Sequence, residues 1–483
     1  MTWHIPLSDL DYGPEEAAAV QRVLQSKWLS MGPETKAFEE EFAAFIGVKH
    51  AVAVSNGTAA LHLAFLALGI GSSEQIIQPA VNFVASANMT KALGATPVFA
   101  DICSLDEPAI SPDSISSLLS SISSLPSAPR PKAVVVMHYG GYCCRMAEIR
   151  SLCQEHGLAL IEDACHAIGA RYCNGPRDHG TTGPRHKKAE TAKAESRNAK
   201  TDCELRDNGT TGSRSTHHES PPSESPLSGS PVVSGLHRPT AVGALGDVGC
   251  FSFFSNKNLV TGEGGMLTTN RDDIADKARN LRSHGMSTLT WDRHQGHAAT
   301  YDVLAHGYNY RLDDLRSALG REQLKKLEHN NHRRRELTAL YWEKLAPLEQ
   351  RGWVLPFRRK VLEDPRWEME DGRGAPHPDA LPRAEREGDG SQHASSFAAH
   401  LMAVVAPDAE TRWRCAEALK AAGIQTSLHY PFIPDFAAFR ETAGASDLPH
   451  SRDFCQRVIT LPLYPTMTEE QVEKVCEALT SCH

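Results

Sequence analysis

The sequence predicts an α/β protein with a mostly parallel sheet that is covered by helices on both faces. Short apolar runs alternate with helical periodicity from residue 1 to about residue 170, as in AVAVS at 51–55, KAVVVMHY at 132–139 and LALIEDA at 158–164. Apolar strands separated by amphipathic helices are typical of a parallel sheet that is buried on both sides. In such sheets, ligands bind at the carboxyl ends of the strands.

The length of 483 residues predicts more than one domain. We expect a large domain over residues 1–330 and a smaller α+β domain over residues 331–483. Residues 174–241 are rich in Ser, Thr, Pro, Gly and charged side chains and are expected to be a disordered insertion. Residues 361–397 are expected to be a flexible surface loop. An interaction arm or a phosphorylation site in the first stretch is the alternative to a passive insertion.

Charge and composition narrow the function to small-molecule chemistry. The net charge is −9, with acidic and basic residues mixed along the chain, which argues against nucleic acid or an anionic membrane as a partner. No apolar stretch is long enough for a membrane span or a secretory signal, so a cytoplasmic location is expected. The 12 cysteines form no C-x-x-C pair and no zinc spacing, so we expect free thiols and no metal site.

Two reactive side chains are predicted at strand ends. In CFSFFSNKNLVTGEGG, residues 250–265, an aromatic run typical of a buried strand breaks into Lys257 and a glycine-rich turn. In LALIEDACHAIGA, residues 158–170, Asp163 follows an apolar strand. A lone aspartate at such a place is often only a helix cap. Together with a lysine at the end of another strand, it indicates a reactive centre.

A phosphate site and an aromatic surface complete the pattern. Gly57 and Thr58 stand at the junction of a strand and a helix in VSNGTAALHLA, residues 54–64, where exposed backbone N–H groups favour a phosphate. Ordinary helix capping is the alternative explanation for these residues. Phe83 follows the apolar strand IIQPA. An amine, a carboxylate, a phosphate cradle and a flat surface are what pyridoxal 5'-phosphate requires, and no other common cofactor uses all four.

A set of motifs resembles the DegT/DnrJ/StrS family of sugar aminotransferases. The motifs include WLSMGPETKAFEEEFAAFIGVKHAVAVSNGTAALHLAF, PAVNFVASANM, IEDACHAIGA, GDVGCFSFFSNKNLVTGEGGM, GYNYRL and GIQTSLHYP. They follow one another in order over nearly the whole chain outside the two polar stretches. The resemblance implies a pyridoxal-phosphate-dependent transferase of fold type I, which is aspartate-aminotransferase-like, with a mostly parallel sheet in a large domain and a smaller α+β C-terminal domain.

The resemblance also implies roles for individual residues. Lys257 matches the lysine that forms the internal aldimine with the cofactor, and Asp163 matches the carboxylate that keeps the pyridine nitrogen protonated. His166 takes the position that contacts the ring oxygen, and Phe83 takes the ring-stacking position. Residues in the positions that hold the phosphate are Gly57, Thr58, Ala59, Ser252 and, supplied by a neighbouring subunit, Asn309. For Ser252 and Asn309 taken singly, ordinary hydrogen bonding at a strand or turn is the alternative.

The implied reaction moves an amino group from L-glutamate, the expected donor, to a keto sugar that is expected to be linked to a nucleotide. Lys257 would act as general acid and base in a ping-pong mechanism. A keto-cyclitol acceptor and a catalytically silent regulatory or scaffold protein stay alternatives. His429 and Tyr430 are candidate acceptor contacts, with a purely structural role as the alternative. A homodimer with shared active sites is expected.

Overall fold

The computed structural model describes residues 3–124, 129–173, 239–288, 291, 294–296, 300–363, 396–441 and 447–482. Most of the predicted insertion, residues 174–238, and most of the predicted second loop, residues 364–395, lie outside the described residues. Among the helices that are described, none combines the length and the apolar character needed to cross a bilayer.

Eleven strands are described. They are β1 (His50–Val54), β2 (Gln75–Pro79), β3 (Thr96–Ala100), β4 (Pro131–Met137), β5 (Ala159–Asp163), β6 (Arg171–Tyr172), β7 (Thr240–Ala241), β8 (Val248–Ser252), β9 (Gly265–Thr269), β10 (Met402–Val405) and β11 (Val458–Leu461).

Seven of these strands form one sheet in the order β1-β9-β8-β5-β4-β2-β3. From β3 through β2, β4 and β5 to β8, every neighbouring pair is parallel. Only β9 runs the other way, because it is antiparallel to both β8 and β1. The mostly parallel sheet predicted from the sequence is therefore confirmed.

Helices fill the connections between the strands. They are α1 (Pro14–Ser26), α2 (Pro33–Ile46), α3 (Gly57–Ala67), α4 (Ala85–Ala92), α5 (Pro112–Ser123), α6 (Met146–His156), α7 (Asp272–Arg282), α8 (Asp314–Leu345), α9 (Arg358–Glu363), α10 (Ala409–Ala421), α11 (Pro449–Arg457) and α12 (Glu469–Thr480).

Both faces of the sheet are buried. Ala51 and Ala53 of β1 belong to one hydrophobic cluster, whereas Val52 and Val54 belong to another. Because alternate residues of a strand point to opposite faces, each cluster covers one face of the sheet. Apolar residues of α3 and α7 pack in the second cluster, and those of α2 and α6 pack in the first. This arrangement explains why the strands are apolar along their whole length.

The start of α2 is fixed by the start of α8. The Asp314 carboxylate is buried, and its Oδ1 accepts hydrogen bonds from the backbone N–H groups of Gly32 at 2.8 Å and Thr35 at 3.0 Å and from Thr35 Oγ1 at 2.7 Å. The first N–H groups of a helix have no partner within it, so a distant carboxylate that accepts them stabilises the helix end. Asp314 thereby holds α2, which leads into β1, against α8.

The described residues on either side of 174–238 pair in a short antiparallel ladder. In it, Tyr172 of β6 pairs with Thr240 of β7, and Arg171 pairs with Ala241. Ser396 then bonds to Arg171 in both directions, at 3.0 and 2.9 Å. The last two residues of the predicted insertion, Thr240 and Ala241, form strand β7.

The small antiparallel sheet of β10 and β11 lies in the C-terminal part of the chain. The described residues before residue 174 and after residue 238 belong to one compact unit. The predicted boundary between residues 330 and 331 falls within α8. The division into two domains stays a prediction.

Candidate active site

Lys257 lies just beyond the end of β8. Strands β5 and β8 are parallel neighbours, with Asp163 opposite Cys250. The residues that follow the two strands therefore lie at the same edge of the sheet. The backbone N–H of Lys257 donates to the carbonyl of Phe254 at 2.9 Å in the turn that follows β8. Within the described part of the chain, the Lys257 side chain makes no hydrogen bond or ion pair. Burial lowers its pKa, and the nearby Cys165 and Asp163 oppose that shift only in part. An amine that loses its proton more readily than usual has a larger uncharged fraction at neutral pH, and only the uncharged form acts as a nucleophile or base.

Asp163 is the last residue of β5 and is 3% exposed. Its Oδ2 accepts a hydrogen bond from Nδ2 of Asn82 at 3.3 Å, and its Oδ1 accepts one from the backbone N–H of Cys165 at 3.3 Å. Both donors are neutral groups. A buried carboxylate is costly unless it is paired, so Asp163 favours a cationic partner in this pocket.

The N-terminus of α3 approaches the end of β8 closely. Oδ1 of Asn56 accepts a hydrogen bond from the backbone N–H of Ala59 at 2.8 Å and so caps the helix. A Cβ atom at residue 57 would lie 2.9 Å from Cβ of Ser252 and 3.2 Å from Sγ of Cys165. Glycine is required there because no larger residue fits without a shift of its neighbours. Ser252 therefore lies close to the N-terminus of α3, and a helix N-terminus favours an anion.

His166 is buried three residues beyond Asp163. Its Nε2 shares a hydrogen bond with Oη of Tyr430 at 2.7 Å, and its Nδ1 has no partner among the described residues. Burial is the main cause that holds the pKa of His166 well below its ordinary value, and Lys257 and His429 add to the shift. The imidazole is therefore neutral at neutral pH, with one nitrogen left for a ligand.

Two predicted acceptor contacts lie in the same cluster. Nδ1 of His429 bonds to Oγ1 of Thr460 at 3.0 Å, and its carbonyl accepts from Oη of Tyr139 at 2.5 Å. Burial, followed by the positive charge of Lys257, lowers the pKa of His429 to about 4. The Tyr430 hydroxyl is hydrogen-bonded to Nε2 of His166. Both residues therefore have protein partners, and their contact with an acceptor stays a prediction.

The remaining predicted residues are more exposed. The Phe83 ring is 55% exposed, and its centroid lies 6.1 Å from that of Tyr430, so it borders the cluster. Asn309 is exposed in an extended segment and pairs with Ser283. No contact among the described residues joins Asn309 to Lys257 or Asp163. A role for Asn309 in a neighbouring subunit stays a prediction.

Sequence patterns missed several residues that complete the site. They are Asn82, Cys165, Asn258 and His400, of which Asn258 could have been noticed because it follows Lys257 directly. His400 lies between the second polar stretch and β10, where no pattern marks it. Its ring centroid is 4.3 Å from that of His166. The described residues contain no cluster of ligands suited to a metal ion.

The model of the DegT/DnrJ/EryC1/StrS aminotransferase family matches residues 11–187, 233–361 and 380–480. The chain belongs to this family. The predicted family and the predicted class of enzyme, an aminotransferase, are thereby confirmed. The gap between the first two matched ranges, residues 188–232, lies inside the predicted insertion.

Individual relatives of this aminotransferase cover nearly its whole length. It is 32% identical over 471 residues to the spore coat polysaccharide biosynthesis protein SpsC of Bacillus subtilis (strain 168), which covers 97% of this chain and 94% of SpsC. The structure of DesV from S. venezuelae, solved in complex with a ketimine intermediate, is 27% identical with a TM-score of 0.70, covering 100% of this chain and 99% of DesV.

Another similar structure supports the fold alone. The aminotransferase PseC of Helicobacter pylori is 23% identical with a TM-score of 0.71, covering 100% of this chain and 99% of PseC. The predicted α/β fold of the aminotransferase class is confirmed by these likenesses.

Proposed function

We propose that this aminotransferase uses pyridoxal 5'-phosphate to move an amino group from L-glutamate to a keto sugar that is carried on a nucleotide. One observation carries the proposal. Lys257, with a lowered pKa and no side-chain partner in the described structure, lies at the same sheet edge as the buried Asp163 carboxylate. Burial of an amine without a hydrogen-bond partner costs folding free energy, and a catalytic role accounts for that cost.

The residues present fit the cofactor. The N-terminus of α3, with Gly57, Thr58 and Ala59 in its first turn, lies close to Ser252 and suits the phosphate. The buried Asp163 carboxylate suits the pyridine nitrogen. The free Nδ1 of His166 suits the ring oxygen, and the exposed face of Phe83 suits the ring. When bound, pyridoxal 5'-phosphate supplies an aldehyde and an electron-withdrawing ring, which allow an amino group to be accepted and passed on.

The proton steps fall to Lys257 in this proposal. Its Nζ is more often uncharged than that of an ordinary lysine, so it can take the proton from the α carbon of the amino donor and return it later. Asp163 accepts hydrogen bonds from two neutral donors only, so its carboxylate would be available to hold the protonated ring nitrogen of the cofactor. Neutral His166 adds no positive charge that would compete for that carboxylate.

The acceptor class rests on the relatives. SpsC is described as a spore coat polysaccharide biosynthesis protein, and at 32% identity over almost all of this chain it favours a sugar as the acceptor. Transfer of an amino group needs a carbonyl, so the acceptor is a keto sugar. The nucleotide carrier and the glutamate donor are expectations of the family resemblance.

A second copy of the chain is part of the proposal. Several apolar side chains are exposed: Phe254, two residues beyond β8, at 46%, and the sequence neighbours Val303 and Leu304 at 54% and 66%. Neighbouring exposed apolar residues favour a protein contact. Asn309 is exposed on the same extended segment as Tyr308 and Tyr310 and is available to a neighbouring subunit.

The test is the absorbance spectrum of the purified protein with added pyridoxal 5'-phosphate, before and after addition of L-glutamate. We expect a visible band in the wild type that shifts on addition of glutamate, no such band in Lys257→Ala, and wild-type behaviour in the surface control Lys420→Ala. If the wild type shows no band, the aminotransferase reaction is excluded for this chain. A catalytically silent scaffold then becomes the better explanation.

A further inference from the structure

The residue after Lys257 is held by three residues from two distant parts of the chain. Asn258 is 5% exposed, and its Nδ2 donates to Oδ1 of Asn331 in α8 at 2.7 Å and to the carbonyl of Ala398 at 2.7 Å. Its Oδ1 bonds to Nδ1 of His400 at 2.8 Å. Because the Lys257 side chain has no partner of its own, the placement of its amine depends on this anchored backbone.

These contacts fix the tautomer of His400. Both hydrogens of the Asn258 amide are used, so its Oδ1 must accept a hydrogen bond and Nδ1 of His400 must donate it. The backbone N–H of His400 also donates to the carbonyl of Gly140 at 2.8 Å. The imidazole therefore has one defined orientation, with the lone pair of Nε2 free. That atom is buried and has no partner in the residues described.

The surroundings of His400 keep it neutral. Burial is the main cause that holds its pKa well below the ordinary value, and the groups that act on it in the same direction are His166, Lys257, Arg334 and His429. All of these groups are basic. A proton on Nε2 would therefore be repelled by its neighbours and would have no acceptor.

We infer that His400 is a positioning residue for the transfer reaction: its Nδ1–H holds Asn258 and with it Lys257, and its ring packs against His166. The inference rests on the proposed function, because it concerns how Lys257 and His166 meet pyridoxal 5'-phosphate. The inference assigns a role to residues 396–401, which follow the second polar stretch and contact Asn258 through Ala398 and His400. The contact between His166 and His400 brings their ring centroids to 4.3 Å.

Two substitutions distinguish a role of the His400 hydrogen bond from a role of the volume of its ring. In His400→Asn the amide nitrogen is attached to Cγ, as Nδ1 is, so a donor to Asn258 is kept although the side chain is smaller. In His400→Gln the volume is closer to that of histidine, but the amide nitrogen lies one bond further out, so the donor is misplaced. His329→Gln, at an exposed position on α8, is the matched control.

Three measurements are made on the full chain. The first is the dissociation constant of pyridoxal 5'-phosphate from titration of the cofactor-free protein. The second is the pH dependence of Lys257 reductive methylation in the cofactor-free protein, followed by mass spectrometry. The third is the melting temperature.

We expect His400→Gln to weaken cofactor binding about tenfold, because one buried hydrogen bond is lost. We also expect it to raise the pKa of Lys257 toward its ordinary value, because water enters the site. His400→Asn should stay closer to the wild type in cofactor affinity and in the pKa of Lys257.

A role confined to packing gives the opposite order, because asparagine leaves the larger cavity. The inference is overturned if His400→Asn is as impaired as His400→Gln or more so, or if both variants match His329→Gln in binding and in Lys257 reactivity. Failure of the proposed function is recognised separately, because the wild type itself would then give no visible band with the cofactor.

Discussion

Oη of Tyr430 lies 2.7 Å from Nε2 of His166, although 264 residues separate the two along the chain. His166 follows β5 closely, whereas Tyr430 comes from the C-terminal part of the chain beyond α10. The bond therefore joins the strand-end site to the part of the structure that carries β10 and β11. The Tyr430 hydroxyl is the hydrogen-bond partner of one ring nitrogen of His166, and the other nitrogen has no partner among the described residues.

Replacement of Tyr430 by phenylalanine should impair the half-reaction with L-glutamate about tenfold. Loss of the hydroxyl leaves Nε2 of the buried His166 without a partner, which costs about 1–3 kcal/mol. Stopped-flow absorbance of the cofactor band measures the rate. Tyr341→Phe is the control, because Oη of Tyr341 is also buried and donates to the carbonyl of Pro462 at 2.9 Å, away from the site. Equal rates in the two variants would contradict the assigned role of Tyr430.

Stability should fall as the pH drops from about 6.5 toward 4. The pKa of His429 is lowered from 6.5 to about 4 in the folded protein, so the unfolded chain binds a proton first as the pH falls. The contribution of His429 is complete above pH 6.5 and is lost through this window, and it amounts to about 3 kcal/mol. His166 and His400 act in the same direction.

Urea unfolding at pH 7.5, 6.5, 5.5 and 4.5 checks this dependence. The slope of the unfolding free energy with pH should be smaller in His429→Gln than in the wild type, whereas the exposed control His329→Gln should keep the wild-type slope. Identical slopes in all three proteins would show that His429 is not held neutral by the fold.

Glu162 should be among the most sensitive positions for stability. It is fully buried, and its carboxylate accepts hydrogen bonds from the backbone N–H groups of Gly243 at 2.9 Å and of Leu245 and Gly246 at 2.7 Å. Nε2 of His138 is a further partner at 3.1 Å. Since Nδ1 of His138 accepts the N–H of Cys144, Nε2 carries the hydrogen and donates it to Glu162.

In Glu162→Gln, an amide N–H₂ replaces one of the accepting oxygens and faces other donors. We expect a loss of about 3 kcal/mol in the free energy of unfolding, measured in urea. Glu155→Gln, an exposed position on α6, is the matched control and should change the free energy by less than about 0.5 kcal/mol. A loss below about 1 kcal/mol in Glu162→Gln would mean that the 243–246 loop finds other acceptors.

Local sequence rules predicted the positions of Asp163 and Lys257 at or beyond the ends of strands, and the structure places them there. Apolar runs predicted β5 and β8, and parallel strands end at one edge of a sheet, so residues that follow them converge. Gly57 was predicted in the same way, from the junction of a strand and a helix. The seven-stranded order with its antiparallel β9 was not predicted, because a strand's direction depends on the path of the chain around it.

The supporting residues could not be predicted from local patterns. The His400 bond to Asn258 spans 142 residues, and the Asn82 bond to Asp163 spans 81. Such contacts arise from packing of distant segments, which leaves no periodic signal. The partners of Glu162 could not be predicted either, because an acidic residue in an apolar strand does not indicate which backbone N–H groups will donate to it in the fold.

Replacement of residues 174–238 by the dipeptide Asn-Gly should leave the fold and the half-reaction intact. The flanking strands already pair, with Tyr172 of β6 opposite Thr240 of β7, and Asn-Gly is a favoured connection between antiparallel strands. A shorter loop also lowers the entropic cost of closure. The melting temperature and the glutamate-induced change in absorbance measure the outcome. A variant that folds with an unchanged melting temperature but binds the cofactor about tenfold more weakly would show that the removed residues contribute to the site.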